Sequence, residues 1–470
     1  MSLIEALNSC FDFVDKIDKS TLFNTVIFFI TLMYLWETYL SFRQYLVQKS
    51  NTKIPKELEN VTDLETFEKS RLYSIDKSLY EFAHDFFNQI ESYALLYYGA
   101  LPYVWNLCSR QLANFDQPWL NSEITKSCLF LTYFMLYGQI TSQPWSIYYN
   151  FVIEEKHGFN KQTFGFYIKD NLKKLLLSIS LTIPISALFI QIVKIGGDYF
   201  FIYAWLFVTF ISLFFISIYA DYIAPLFDKY VPLQDGELKT RIEELAKSLN
   251  FPLYKLYVVE GSKRSTHSNA YMYGFHKNKR IVLFDTLIEG YKSTEEKSEE
   301  ITENNDKQKE SKGCNTEEIL AVLAHELGHW KLSHNLKNLI LNQINLFLYF
   351  LIFAALMNRQ IFYSAFGFED ERPVLIGLLV ILQFIFAPYN ELISFLMTSL
   401  GRRFEFQADE FAKNLGKSKY LKSSLVKLCK DNLSFPMCDW LYSAFHHSHP
   451  SLLERLEALN DKSDDEKKTQ

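Results

Sequence analysis

The stretch Asn315-Thr316-Glu317-Glu318-Ile319-Leu320-Ala321-Val322-Leu323-Ala324-His325-Glu326-Leu327-Gly328-His329-Trp330 reads as one helix with chemistry on it. Asn315 is a good N-cap residue, and Glu318 stands at the capping-box position ahead of the apolar Ile319, Leu320, Val322 and Leu323. At about 100° per residue, His325 and His329 lie about 40° apart on one face. Their imidazoles can therefore share one Zn²⁺ while Glu326 approaches a water beside it. His334 comes nine positions after His325 and falls about 180° round a continuing helix, so it is expected at the surface or in a second layer. The third ligand must then come from elsewhere. The run Arg402-Arg403-Phe404-Glu405-Phe406-Gln407-Ala408-Asp409 offers two acidic residues one helical turn apart. Glu405 can ligate, and Asp409 can accept a hydrogen bond from the non-ligating nitrogen of a ligand histidine and so fix its tautomer. The alternative for this pair is an ordinary solvated acidic face; beside HExxH it completes a two-His, one-Glu site.

Outward from these motifs, the chain alternates between greasy and charged segments. Apolar stretches of about 20 residues, the length that crosses a hydrocarbon core, fall at about 20–40, 87–108, 127–149, 174–195, 199–221, 338–357 and 374–400. The first has neither a strongly basic start nor a small-residue cleavage site, so it is expected as a retained helix and not a signal peptide. The fourth and fifth, separated by Lys194, Gly196, Gly197 and Asp198, are expected to form a tight hairpin. Lysine and arginine crowd the 41–86 and 150–174 connections and are scarce in the loops between. Seven spans, an outside N-terminus and a cytosolic C-terminus satisfy the positive-inside rule. The acceptor sequences at Asn60 and Asn432 then fall on the cytosolic side, where no glycosylation is expected. Lys467 and Lys468 near the chain end resemble a dilysine retrieval signal, which points to the endoplasmic reticulum membrane, with the nuclear envelope as a further location; a solvated charged tail is the other reading.

Several spans carry polar residues: Glu37, Glu91, Gln139, Gln143, Asp221, Asn342, Gln343, Asn345, Gln383, Asn390 and Glu391. Charge within a bilayer is costly, so these are expected to face a wet interior, with hydrogen bonding between helices as the alternative. The chain divides into 1–221 with spans one to five, 222–337 with the HExxH helix, 338–400 with spans six and seven, and a charged 401–470. Within 222–337, the segment 291–314 has almost no apolar residue and is expected to be a mobile insertion.

Composition narrows the class further. The 470 residues are 49% hydrophobic and 22% charged, and 42 Phe and 29 Tyr against 16 Gly and 12 Pro exclude a disordered or collagen-like chain. A net charge of -6 argues against a nucleic-acid surface. Six cysteines without a CxxC pair are expected to be reduced packing residues. The near-neutral mean hydropathy of -0.04 averages greasy spans with charged segments.

The chain resembles the CAAX prenyl protease 1 family, the type I prenyl-CAAX proteases, which are integral-membrane zinc endopeptidases. The resemblance rests on His325-Glu326-Leu327-Gly328-His329-Trp330-Lys331-Leu332, Arg403-Phe404-Glu405-Phe406-Gln407-Ala408-Asp409, Ser268-Asn269-Ala270-Tyr271, Lys279-Arg280-Ile281-Val282-Leu283-Phe284-Asp285-Thr286-Leu287 and Ser448-His449-Pro450. With the spans in the same order it covers nearly the whole chain, departing in 291–314 and the tails. It implies a mainly α fold: a seven-transmembrane-helix barrel around a polar, water-filled chamber, closed on the cytosolic side by a zinc-metallopeptidase domain with a small β-sheet. It implies one Zn²⁺ on His325, His329 and Glu405, with Asp409 behind them and Glu326 as general base. His449 would donate to the developing oxyanion, Arg455 would reach the same region, and Ser268, Asn269 and Ala270 would form the edge strand that pairs with an extended substrate. The implied substrates are prenylated CAAX proteins or peptides, farnesylated or geranylgeranylated, which lose the three residues after the modified cysteine; the implied environment is a lipid bilayer.

Two other readings remain at this point. A membrane quality-control metalloprotease that degrades misfolded or stalled membrane proteins would share the motifs but usually has fewer spans. A seven-helix transporter or receptor would require HExxH and its partner motifs to coincide by chance.

Overall fold

The computed structural model describes residues 7, 9–115, 117–262, 264–274, 278–291 and 312–460. Lys467, Lys468 and 292–311 therefore lie outside the described residues.

Helices dominate, and their ends follow local chemistry. Asp18 caps the helix Lys19–Ser50 by accepting from the Ser20 and Thr21 N–H groups, and Asp63 caps Leu64–Tyr97 through Thr66 N. Ser122 caps Glu123–Tyr148 and Thr163 caps Phe164–Ile195 in the same way. The expected hairpin is present: Phe164–Ile195 ends at Gly196, and Phe200–Ile218 begins four residues later. A Cβ on Gly196 would lie 2.7 Å from the Phe200 backbone, so only glycine lets the chain reverse this tightly.

Among the described residues, four helices are long and apolar enough to cross a membrane: Lys19–Ser50, Phe164–Ile195, Gly197–Ile218 and His334–Leu356. A fifth span results if Val374–Ile385 and Ala387–Asn414, bent by 61°, count as one. Only 11% of the most apolar window of each of the first three is buried within the chain, so these surfaces need an apolar solvent. Two of the seven expected spans fall short. The stretch 87–108 is broken at Gly99, whose φ of 63° ends Leu64–Tyr97 and restarts the chain as Ala100–Ala113. All but the last residue of 127–149 lies within Glu123–Tyr148, which is long enough but diluted by Thr, Ser and Gln.

The polar residues within the spans mostly join helices, contrary to the expectation of a wet lining. Gln343 accepts from Thr209 at 2.6 Å, Asn345 from Tyr389 at 2.7 Å, Glu91 from Tyr137 at 2.7 Å and Gln143 from Tyr167 at 3.0 Å. Asn390 accepts from Tyr349, Asp221 pairs with Arg280, and Glu37 lies 3.1 Å from His446. A hydrogen bond to a neighbouring helix satisfies such a group without a cavity. Around them the membrane half packs Trp105, Phe130, Phe200, Phe353 and Ile376 into one core.

A second core surrounds a four-stranded sheet of order β1-β2-β4-β3, made of β1 (Tyr230–Pro232), β2 (Leu253–Val259), β3 (Ala270–Tyr273) and β4 (Lys279–Phe284). β2 and β4 are parallel, and the outer pairs are antiparallel. Ile281, Val282 and Leu283 of β4 are wholly buried, as expected for a central strand covered on both faces. The helix Thr316–Lys331 lies against this sheet through Leu320, Leu323 and Leu327, which leaves β3 as an edge. The expectation of a mobile insertion at 291–314 is corrected at its ends. Tyr291 packs against the sheet core, the buried Cys314 donates from its N–H to Leu287 O at 2.7 Å, and Gly313 N donates to Asp431 at 3.0 Å. All six cysteines are free.

Candidate active site

The helix Thr316–Lys331 is fixed first at its start. Asn315 and Glu318 form the expected capping box, and Glu318 also accepts from Ser423 at 2.6 Å and Lys427 at 2.7 Å. One face of this helix then meets the C-terminal half of Ala387–Asn414. The stripe Ala321, Ala324, Gly328 faces Ala408 and Ala412, all with little or no side chain. A Cβ on Gly328 would come within 3.2 Å of Ala408 Cα and 3.1 Å of Phe411 Cδ1. The glycine inside HExxH is thus the point of closest helix approach, while its neighbour Leu327 anchors the opposite face in the sheet core.

This approach brings the expected ligands together. His325 Nε2 lies 3.2 Å from His329 Nε2, and Glu405 reaches them with Oε2 3.4 Å from His325 and Oε1 3.2 Å from His329. One ligand atom from each of the three falls within 4.8 Å of the others. Glu405 Oε2 is buried, 3.4 Å from His325 Nε2 and 3.7 Å from Arg455 Nη1, and makes no well-aligned hydrogen bond, as suits an acceptor aimed at a cation. Two imidazole nitrogens and a carboxylate, converging from two helices, fit a zinc ion.

Behind the ligands, Asp409 Oδ1 accepts from His325 Nδ1 at 2.8 Å. Arg455 holds Asp409 with both arms, Nε at 2.8 Å and Nη2 at 2.6 Å, and keeps Nη1 3.7 Å from Glu405. Burial disfavours charge on His325, but its hydrogen bonds with Asp409 and Glu405 outweigh that and carry its pKa up to about 9. The pocket is built to hold positive charge. Burial pushes the neighbouring Glu326 carboxyl up, the direction that makes it a stronger base near neutral pH. His449, 70% exposed, brings Nε2 to 3.3 Å from Glu405 Oε1 at the mouth of the site.

His334 is not at the surface: it is 1% exposed. The continuing-helix argument fails because Leu332 ends the helix and Ser333 adopts a left-handed φ of 57° before His334–Leu356 starts. The turn swings His334 back beneath His329, with Nδ1 to Nδ1 at 2.9 Å. Nothing in the sequence marks Ser333 for that conformation, which glycine or asparagine more often adopts.

A cleft of about 850 Å³ opens beside the ligands. Ser268, Asn269, His449 and Arg455 line one side; Gln44, Gln48, Lys77 and Glu81 from the first two helices line the other. The polar lining of that second side therefore comes from residues the sequence did not single out. The edge segment is also partly occupied. Asn432 Oδ1 accepts from Ser268 N at 2.9 Å and its Nδ2 donates to Ser268 O at 3.3 Å. Asn269 O accepts from Phe284 N within the sheet, so by antiparallel alternation Ala270 and Met272 turn their main-chain groups outward. Ala270 N donates to Asn269 Oδ1 at 2.8 Å. Asn432 was visible in the sequence only as a glycosylation acceptor; here its side chain clamps the segment leading into β3.

Comparison with known proteins agrees with this geometry along nearly the whole chain. Residues 44–229 match the family model described as CAAX prenyl protease N-terminal, five membrane helices, and residues 232–463 match that of peptidase family M48. The CAAX prenyl protease 1 homolog of Homo sapiens is 54% identical over 94% of this chain and 96% of its own length. That of Arabidopsis thaliana is 47% identical over 93% and 97%. A crystal structure of S. mikatae Ste24p superposes with a TM-score of 0.80 at 36% identity, covering 93% of this chain and 98% of that one. With ligand geometry, membrane helices and both family models in agreement, the chain belongs to the CAAX prenyl protease 1 family of membrane metalloproteases, in peptidase family M48.

Proposed function

We propose that this chain is a zinc-dependent endopeptidase that removes the three C-terminal residues from prenylated CAAX proteins. The observation that carries the reading is the convergence of His325, His329 and Glu405, with Glu326 next to His325 in the chain, beside a cleft lined by Asn269, His449 and Arg455. The relatives' names supply the substrate class. A prenyl chain partitions into a bilayer, whereas hydrolysis needs water, and a polar cleft between a membrane helix wall and a peptidase lid meets both needs.

His325, His329 and Glu405 would hold the ion. When bound, zinc supplies Lewis acidity that polarises a carbonyl and lowers the pKa of a water. Glu326 takes a proton from the water attacking the scissile carbonyl carbon and returns it to the amide nitrogen, which leaves as the amine. His449 Nε2–H donates to the oxygen that gains negative charge. Arg455 holds Asp409, and Asp409 holds His325 in the tautomer that presents Nε2. The outward main-chain groups of Ala270 and Met272 hydrogen-bond an extended substrate, tolerating varied side chains. In this reading Leu64–Tyr97 and Ala100–Ala113 act as one broken span and the helices form a seven-span barrel. The catalytic side faces the cytosol in the endoplasmic reticulum membrane and nuclear envelope, and the four segments 1–221, 222–337, 338–400 and 401–470 are its working parts.

The test is metal analysis of the purified chain together with cleavage of a farnesylated CAAX peptide and its unprenylated counterpart. One zinc per chain and faster cleavage of the farnesylated peptide are expected. Glu326→Gln should keep its zinc and lose about 10²–10⁴-fold in kcat. Equal rates on the two peptides would exclude the prenyl specificity, and full activity of the variant would exclude the general base.

A further inference from the structure

We propose that His334 is the positioning residue for the ligand His329, acting as a neutral hydrogen-bond acceptor that fixes its tautomer and ring orientation. The inference rests on the metal site read above. His329 turns Nε2 toward His325 and Glu405, so the lone pair a cation needs is on Nε2 and the ring proton is on Nδ1. That Nδ1 lies 2.9 Å from Nδ1 of His334. Two nitrogens at this distance share one hydrogen, so His334 Nδ1 accepts and its own proton sits on Nε2. There it meets Gln407 Oε1 at 3.0 Å. The chain has one direction: His329 Nδ1–H to His334 Nδ1, then His334 Nε2–H to Gln407 Oε1.

The ring is held for this task. His334 stacks on Phe404 with centroids 4.1 Å apart and planes 6° from parallel. The left-handed Ser333 brings the ring beneath His329. Phe404 and Gln407 flank Glu405 on its own helix, so the segment that supplies the third ligand also seats the partner of the second.

Charge explains why the two ligand histidines have different partners. Asp409 behind His325 is a charged acceptor, and its charge is matched by the two-armed Arg455. Beneath His329 the partners are His334 and the uncharged Gln407. A second carboxylate there would add a buried negative charge with no such match. A neutral imidazole gives the same orientation without it.

The test compares two variants of the full-length, detergent-purified protein by zinc affinity, measured by competition with a chelator. His334→Phe keeps the ring stacked on Phe404 and removes the acceptor. His334→Asn gives up the stack and places an amide oxygen near the position of Nδ1. His334→Phe is expected to lose about 10–100-fold in zinc affinity, with the metal-free melting temperature unchanged. His334→Asn, which keeps an acceptor, is expected to lose less than the roughly 10-fold that loss of a second-layer partner costs at least. The opposite order, or two variants that bind zinc like the parent, would overturn the inference. A parent chain that holds no zinc would overturn the metal site itself, and is distinguished by the parent measurement alone.

Discussion

Two walls face each other across the cleft, and they are built differently. On the ligand side, Thr316–Lys331 and the end of Ala387–Asn414 touch through Ala321, Ala324, Gly328, Ala408 and Ala412, and the charged groups behind them are buried and multiply bonded. On the opposite side, Gln44, Gln48, Lys77 and Glu81 line the cleft from two long helices, with Gln44 bonded to Met437 O and Asp439 N and Gln48 to Ser78. Close helix contact sets ligand distances to tenths of an ångström, as a cation site requires. An open polar wall leaves room for substrates of varied sequence. Damage to the first wall should therefore cost metal and stability together, and damage to the second should cost substrate affinity alone.

The largest expected effect breaks the first wall at its charge pair. Arg455→Leu leaves Asp409 buried without its cation, which should cost about 3–5 kcal/mol. Thermal unfolding and zinc content should both fall; a variant with normal zinc and melting temperature would show that the pair is not structural. Next comes Gly328→Val. Its branched side chain would press on Ala408 and Phe411 and push Glu405 away, costing about 1–3 kcal/mol through overpacking. Zinc content should drop more than the melting temperature alone accounts for, and metal analysis beside calorimetry decides it.

At the segment leading into β3, Asn432→Ala removes two hydrogen bonds to Ser268, each worth about 1 kcal/mol. KM should rise about 5-fold, the affinity equivalent of one such bond, while kcat and zinc content hold. Loss of zinc would mean that this segment also supports the metal site.

The smallest effect at neutral pH concerns Glu318. Burial pushes this carboxyl up, but Lys427, Ser423 and the Asn315 N–H outweigh it and hold its pKa below the usual 4.5. Because the folded value is depressed, the stabilisation is fully present above about 4.5 and is lost as pH falls through the folded value. The parent chain should lose melting temperature on acidification through that window more steeply than Glu318→Gln. Equal slopes would remove Glu318 from the acid response.

Much of the first wall was legible because its chemistry repeats at helical spacing. The capping box at Asn315 and Glu318, the paired His325 and His329, and Glu405 with Asp409 each lie within one or two turns, and helix geometry carries such patterns into space with little error. The span count was harder to read. Glu123–Tyr148, read from the sequence as a span, falls short in hydropathy because of its Thr, Ser and Gln, and Gly99 breaks a segment that hydropathy joins. For His334 the sequence left a surface or a second-layer place open. The structure takes the second, behind His329, because one left-handed serine changes every angle counted past it.

The sequence by itself determined the local chemistry: which helix carries the ligands, where it is capped, which segments are too apolar for water, and which family the motifs resemble. These depend on residues a few positions apart, whose relation the helix repeat sets. Only the tertiary structure decided that Asp409 serves His325, that His334 serves His329, that Asn432 holds Ser268, and that Gln44, Gln48 and Glu81 line the cleft. Each of the last three depends on a turn or a long-range packing contact. No periodicity in the sequence encodes such a contact; it exists only once the two walls have closed on each other.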